Sequence, residues 1–250
     1  MPSLKSRLFC FMLNNSHLLR FQLKKRKTAW DFNTSIPLFR QECEKGAARF
    51  GKLPGGIKIE PLTINGIKAE WLLPAGAVQD KTIFFIHGGG YVSGSCSDHR
   101  APVAKFVKGS GIRALLFEYR LAPEHPFPAA MEDTLKAYCW LLEQGVASDH
   151  VVFAGDSAGG GLVLATLLAL KDKGLPLPAA AVALSPWTDL KLTGESHRTN
   201  AGVCLSPPGM SAVCSKYYAG GNDPGLPYIS PLYGDLRGLP PTLIYDETTL

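Results

Sequence analysis

The sequence predicts an α/β protein with a mostly parallel central sheet that is covered by helices on both faces. Short apolar segments alternate with longer segments of helical periodicity from about residue 57 to residue 184. Strands of that composition are typical of parallel sheets, whose crossover helices bury both faces. The 250 residues, of which 46% are hydrophobic, suit one large domain with a sizeable core.

The first 50 residues are predicted to form amphipathic helices, an N-terminal cap that ends near Gly51 and the turn at residues 54–56. Their apolar side chains form an interrupted stripe: Leu4, Leu8, Phe11, Leu18, Leu19 and Phe21. A membrane-surface or targeting role stays open as the alternative. A signal peptide is disfavoured because no small-residue cleavage site follows the apolar patch.

Strands and helices then alternate along the chain. Residues 57–64 and 67–73 alternate in polarity and are joined by Asn65-Gly66, which predicts a hairpin and hence an antiparallel edge. The remaining elements are predicted in order as a strand at 82–86, a helix at 102–108, a strand at 112–119, a helix at 129–143, a strand at 151–154, a helix at 158–172 and strands at 179–184 and 242–245.

Composition excludes several classes of protein. The net charge is +5, but residues 1–27 carry seven Lys or Arg and no acid, so the remainder has a net charge of −2 and no nucleic-acid partner is expected. The longest apolar stretch of the body, 158–170, is too short to span a bilayer, so no stable membrane insertion is expected. The six cysteines form no C-x-x-C pair, which favours reduced thiols in a cytoplasmic protein over disulfides or a metal site.

A G-x-S-x-G motif lies between a predicted strand and a predicted helix. A serine hydroxyl is a weak nucleophile unless geometry and a base assist it. Gly155 and Gly159 permit a tight strand-to-helix turn with Ser157 at its tip. The N–H of Ala158 then lies at the helix N-terminus, where anions are favoured. The motif therefore predicts a nucleophilic serine, with Asp156 as a supporting residue.

A second motif follows the strand at 82–86, which continues directly into His87-Gly88-Gly89-Gly90. Three successive glycines let backbone N–H groups approach a developing oxyanion. A merely flexible turn is the alternative, and the serine motif further along the chain argues against it. His87 and Gly90 are predicted to support this loop, whereas Tyr91 either lines a substrate pocket or packs in the core.

Four segments together resemble the hormone-sensitive-lipase-like carboxylesterases, a group with the α/β-hydrolase fold. They are HGGGYVSGS at 87–95, YRLAPEHPFPAA at 119–130, GDSAGGG at 155–161 and SPWTDL at 185–190. The resemblance extends over nearly the whole chain. It implies a helical cap at 1–50 that shapes the acyl pocket, and a catalytic domain at 51–250. It also implies hydrolysis of small esters with short or medium acyl chains, without a metal or cofactor.

By this resemblance Ser157 is the nucleophile, and the N–H groups of Gly88, Gly89 and Ala158 form the oxyanion hole. Related esterases often pair through an edge strand, so a homodimer is an expected assembly. Three charged residues of the second segment are expected to pair beneath the active-site loops rather than to react: Arg120, Glu124 and Asp133.

The acid and base of the triad are represented less completely. In this fold the order is Ser, then Asp or Glu, then His. The acid should follow the strand at 242–245, where Glu247 is the first candidate and Asp246 the second, and the register there is open. All the histidines precede that point: His17, His87, His99, His125, His150 and His197. The triad histidine, the last strand and the last helix of the fold are therefore predicted to be missing from these 250 residues.

Three hypotheses for function remain open from the sequence. The first is a serine carboxylesterase whose activity in these residues is lowered by several orders of magnitude, because a triad member is absent. The second is a non-catalytic binder of a small molecule on the same scaffold. The third is a truncated product with no function of its own.

Overall fold

A computed structural model of the chain describes residues 29–76, 78–199, 204 and 206–246. The chain divides into two compact units, one formed by Met1–Thr34 and Leu192–Val213 and the other by Ser35–Lys191 and Cys214–Leu250. The described elements are α1 (Ile36–Phe50), β1 (Ile57–Ile64), β2 (Ile67–Pro74), β3 (Val78–Ile86), α2 (Cys96–Ser110), β4 (Ile112–Phe117), α3 (Ala129–Glu143), β5 (Val151–Asp156), α4 (Ala158–Asp172), β6 (Ala180–Leu184), α5 (Ser196–Thr199), α6 (Met210–Ala219) and β7 (Thr242–Tyr245).

The larger unit is built on a sheet with the strand order β1-β2-β4-β3-β5-β6-β7 among the described residues. β1 pairs antiparallel with β2, and β2 pairs antiparallel with β4. The pairs from β4 through β3, β5 and β6 to β7 are all parallel. The prediction of a mostly parallel sheet with an antiparallel edge is confirmed.

Adjacent side chains of β3 show that helices cover both faces of the sheet, because neighbouring strand residues point in opposite directions. Phe84 contacts Tyr138 of α3, with ring centroids 5.8 Å apart. Phe85 faces Phe106 of α2 at 6.2 Å. The α4 helix is buried along almost its whole length and packs beside β5 and β6, as expected of a helix that is apolar on all sides.

The predicted element boundaries differ most at α2 and β3. The α2 helix begins at Cys96 rather than at residue 102, because Ser95 and Asp98 form a reciprocal capping box at its start. Pro102 lies inside this helix. β3 begins at Val78, before the apolar segment that predicted it, because its first residues pair with β4 at Ile112.

The first 28 residues of the predicted N-terminal cap lie outside the described part of the chain, whereas residues 29–50 lie within it. The amphipathic stripe and the boundary at residue 50 therefore stay predictions. The described helix α1 belongs to the larger unit, where its Arg40 side chain donates to the carbonyls of Val92 and Ala122 and pairs with Glu124 at 2.7 Å. In the smaller unit, the N–H of Trp30 donates to the carbonyl of Pro208 at 2.8 Å.

Candidate active site

Ser157 lies at the tip of a sharp turn between β5 and α4. Its backbone has φ 52° and ψ −120°, a conformation that non-glycine residues rarely adopt. The turn is held by three hydrogen bonds of the Ser157 backbone: its N–H donates to the carbonyl of Leu184, and its carbonyl accepts the N–H groups of Gly161 and Trp187. The side chain is exposed. The turn therefore presents a hydroxyl to solvent at the carboxyl edge of the sheet.

Two glycines make this turn possible, as the motif predicted. A Cβ added to Gly155 would lie 2.7 Å from the carbonyl carbon of Gly159. A Cβ added to Gly159 would lie 2.1 Å from the carbonyl oxygen of Ile86 and 2.5 Å from that of His87. These distances are far below van der Waals contact, so both positions require glycine for close packing of β5, α4 and the end of β3.

The glycine loop after β3 runs beside Ser157, because β3 and β5 are neighbours in the sheet. Gly89 and Gly90 have φ values of +114° and +65°, which favour glycine. In the described part of the chain, the N–H groups of Gly89, Gly90 and Ala158 form no hydrogen bond to another described residue. They are therefore available as donors to an oxyanion.

Gly88 differs from the expectation that its N–H serves the oxyanion hole. This N–H donates to Oδ1 of Asp156 at 3.0 Å, and Nε2 of His99 lies 3.2 Å from the same nitrogen. A Cβ on Gly88 would lie 2.4 Å from Oδ2 of Asp156. The expectation for Gly88 is corrected on this point: its donor is occupied by the residue that precedes Ser157.

His87, for which the sequence predicts a supporting role, is packed beside the glycine loop. Its ring is buried and stacks on Tyr119 with centroids 4.1 Å apart, and Nδ1 lies 2.8 Å from the carbonyl oxygen of Gly88. Burial, followed by the nearby His99, lowers the pKa of His87 to about 4. His87 is therefore neutral near pH 7, and Nδ1 must carry the proton that it donates to Gly88.

His99 is a charged member of the site that the sequence interpretation missed. Burial lowers the pKa of His99, but its hydrogen bonds to Asp156 and Asp98 outweigh burial and raise the pKa to about 9. In the sequence, His99 is marked only by its neighbour Asp98, in the first helical turn after the glycine loop. That pair matches no motif, and only the tertiary structure shows that it reaches Asp156.

Tyr91 packs in the core rather than lining a pocket. It is 1% exposed and stacks on Tyr218 with centroids 3.6 Å apart and an interplanar angle of 5°. Of the two roles that the sequence left open, the structure supports packing. The Tyr91 carbonyl also accepts the N–H of Ala122 at 2.9 Å, which holds the end of the glycine loop in place.

The charged residues of the second segment are structural, as expected. Arg120 donates to both carboxylate oxygens of the buried Asp133 at 2.8 and 2.9 Å, and its backbone N–H donates there at 2.9 Å. Glu124 instead pairs with Arg40 of α1. The expected pairing is therefore confirmed for both acids, with a partner for Glu124 that the sequence did not indicate.

Of the two candidates for the triad acid, the structure describes only Asp246. Asp246 follows β7 directly and is exposed. β7 pairs parallel with β6, and the N–H of Ser185 donates to the carbonyl of Tyr245 at 2.7 Å. Asp246 therefore lies at the carboxyl edge of the sheet, the edge that also carries Ser157. Glu247 lies outside the described residues.

Comparisons with known proteins agree with this geometry. Residues 83–248 match a family described as alpha/beta hydrolase fold. An acetyl-hydrolase from Streptomyces hygroscopicus is 40% identical over 233 residues, which cover 92% of this chain and 72% of that protein. An esterase from Acinetobacter venetianus is 37% identical over 190 residues, which cover 75% of this chain but only 62% of the esterase.

A solved structure shows the same fold. An esterase from the bacterial hormone-sensitive lipase family superposes with a TM-score of 0.84 at 40% identity, and the match covers 98% of this chain and 78% of that one. Within the part of the chain that the structure describes, no helix combines the length and the apolar character needed to cross a membrane.

Proposed function

This chain belongs to the alpha/beta hydrolase family, among the hormone-sensitive-lipase-like esterases, and we propose that it hydrolyses esters of short or medium acyl chains through a serine acyl-enzyme. One observation carries the proposal: Ser157 is exposed on a left-handed turn, between the helix N-terminus at Ala158 and the open N–H groups of the glycine loop. That arrangement brings a nucleophile and oxyanion donors to one place.

In the proposed reaction, Oγ of Ser157 attacks the ester carbonyl carbon and its proton passes to a general base. The carbonyl electron pair moves to oxygen, and the resulting oxyanion accepts hydrogen bonds from the N–H groups of Gly89 and Ala158, with Gly90 as a further donor. Collapse of this intermediate expels the alcohol, which receives the proton. Water then attacks the acyl-enzyme by the same steps and releases the acid and free Ser157.

The general base of this chemistry is a histidine held by Asp246 or Glu247. Because all six histidines of these residues precede that acid in sequence, we propose that the rate of these 250 residues is lowered by several orders of magnitude. The position of Asp246 directly after β7 supports it as the acid, since β7 lies beside β6 in the sheet and β6 lies beside β5, which ends just before Ser157. Glu247, the first candidate from the sequence, lies outside the described residues and stays a proposal beside it. A carboxylate at this edge would orient the histidine and stabilise the imidazolium that forms during attack.

A second candidate function is binding of a small molecule without turnover. The observation that favours it is that Oγ of Ser157 forms no hydrogen bond to another residue in the described ranges, histidines included. A binder needs the hydrogen-bond donors but not a base.

Hydrolysis of p-nitrophenyl butyrate by the 250-residue chain separates these two functions. We expect Ser157→Ala to remove the catalysed rate, because no other group then forms the acyl-enzyme. The matched control is Ser148→Ala, a serine at the opposite, amino end of β5, which should leave the rate unchanged. Equal background rates for the parent chain and Ser157→Ala would refute the esterase proposal, and saturable ester binding would then support the binder.

The proposal also covers the acyl-chain preference, the cellular location and the oligomeric state. We expect p-nitrophenyl acetate and butyrate to be hydrolysed with a higher kcat/KM than the dodecanoate ester. A cytosolic setting is supported by the described cysteines, which are all free thiols: Cys43, Cys96, Cys139, Cys204 and Cys214. The homodimer is a proposal that light scattering of the purified chain would test.

A further inference from the structure

A histidine outside the sequence motifs connects the two loops of the candidate site. His99 lies in the first turn of α2, and its Nδ1 is hydrogen-bonded to Asp98. Its Nε2 lies 3.5 Å from Oδ1 of Asp156. The same oxygen of Asp156 accepts the N–H of Gly88 at 3.0 Å. A continuous set of contacts therefore runs from α2, through the residue before Ser157, to the first glycine of the oxyanion loop.

Two carboxylates near the ring nitrogens of His99 favour its charged form, and Nε2 also lies 3.2 Å from the nitrogen of Gly88. Only the doubly protonated imidazolium can donate to both carboxylates. The pKa of about 9 agrees with this geometry. His87, whose ring centroid lies 5.3 Å away, is neutral near pH 7 because its pKa is about 4. His99 is therefore a cation between the carboxylates of Asp98 and Asp156.

The contact between Gly88 and Asp156 joins two chain segments that leave the sheet side by side. Ile86 at the end of β3 is paired with Gly155 at the end of β5. Beyond this pair the ladder ends, and the hydrogen bond from Gly88 to Asp156 takes its place. The closeness of the approach depends on Gly88, since a Cβ there would meet the carboxylate at 2.4 Å.

We propose that His99 is a positioning residue that holds the Asp156 carboxylate against the N–H of Gly88 and thereby sets the oxyanion loop relative to Ser157. The Asp156 side chain is 37% exposed, so without His99 it is free to rotate toward solvent. The loop would then lose its hydrogen bond to the turn that carries Ser157. The catalytic consequence of this inference rests on the proposed esterase function, whereas the hydrogen bond between Gly88 and Asp156 does not depend on it.

Two kinds of measurement test the inference on the full chain. The first is NMR of chain labelled with ¹⁵N-glycine and ¹³C-histidine, which reports the Gly88 amide proton and the titration of His99 directly. The second is kcat and KM for p-nitrophenyl butyrate. The variants are His99→Gln, which cannot carry the charge, and Asp98→Asn, which keeps both His99 and Asp156 in place. The control is His150→Gln, because His150 also faces a carboxylate, Asp80 at 3.7 Å, but lies at the amino end of β5.

For His99→Gln we expect the Gly88 amide proton to move upfield, as its hydrogen bond to a carboxylate is lost. We expect kcat to fall about 10- to 100-fold with KM changed less than about twofold, because a small displacement of catalytic donors acts mainly on the transition state. Asp98→Asn should lower the pKa of His99 and give a smaller effect of the same kind. His150→Gln should change neither measurement.

An unchanged Gly88 amide signal in folded His99→Gln would overturn the inference, and so would an equal loss of kcat in His150→Gln. If His99→Gln does not fold, Asp98→Asn decides by the same two measurements. If the parent chain shows no hydrolysis that depends on Ser157, the proposed function fails, whereas the Gly88 signal still supports or overturns the positioning role.

Discussion

Gly159→Ala provides the most direct test of how the candidate site is packed. A Cβ at this position would lie 2.1 Å from the carbonyl oxygen of Ile86 and 2.5 Å from that of His87. Both obstructing atoms belong to backbone, and Ile86 is paired in the sheet with Gly155. Neither can move without separating the start of α4 from the end of β3.

The expected destabilisation follows from the short distance between the added Cβ and the carbonyl oxygen of Ile86. Relieving a contact of 2.1 Å to ordinary van der Waals distance requires a displacement of roughly 1 Å or more, in an interior that is packed to crystal-like density. Overpacking of a core typically costs about 1–3 kcal/mol, and the rigid backbone places this site at the upper end. A loss of about 3 kcal/mol would lower the Tm of a chain of this size by roughly 6–12 °C.

The assay is urea unfolding at pH 7 followed by tryptophan fluorescence, with Gly46→Ala as the matched control. Gly46 lies inside α1, and a Cβ there would meet nothing within 4 Å. The same substitution should therefore stabilise the chain by about 0.5–1 kcal/mol through helix propensity. If Gly159→Ala leaves the urea midpoint unchanged, or if both variants shift it equally, the close approach of α4 and β3 is refuted.

Two further predictions concern buried polar groups. Asp133→Asn should lower the free energy of unfolding by about 2 kcal/mol, because it weakens three hydrogen bonds from Arg120 to a buried carboxylate. The control is Glu132→Gln, at an exposed partner of the same Arg120, which should change the free energy of unfolding by less than about 0.5 kcal/mol. A larger effect of Glu132→Gln than of Asp133→Asn would contradict this ranking. Burial lowers the pKa of His87 from an ordinary 6.5 to about 4. As the pH falls, the unfolded chain therefore binds a proton at this residue before the folded chain does. The free energy of unfolding should then decline by up to about 3 kcal/mol between pH 6.5 and 4. Urea midpoints across that range should decline more steeply in the parent chain than in His87→Phe, which cannot titrate and keeps a ring against Tyr119.

Much of the fold could be predicted from local patterns. The Asn65-Gly66 hairpin and the apolar strands were visible as periodicities, because the alternation or continuity of apolar side chains depends on which faces a strand buries. The insertion of β4 between β2 and β3 was not visible, because strand order is decided by long-range packing. The start of α2 was mispredicted, although Ser95 and Asp98 form a capping box that is readable from sequence.

The candidate site, like the fold, could be predicted from the sequence only in part. Ser157 and the glycines around it follow from the sequence, since a tight turn between a strand and a helix imposes local steric limits that few residues satisfy. The packed position of Tyr91 and the occupied donor of Gly88 do not follow from it.

What the sequence by itself determined is the family, the alternation of strands and helices, and the candidate nucleophile, because each depends on residues close together in the chain. Only the tertiary structure decided which N–H groups of the glycine loop are open and that His99 belongs to the site. Gly88 and Asp156 are 68 residues apart in sequence, and β3 and β5 become neighbours only when the sheet assembles. The charge of His99 likewise depends on two carboxylates that only the fold brings to its ring.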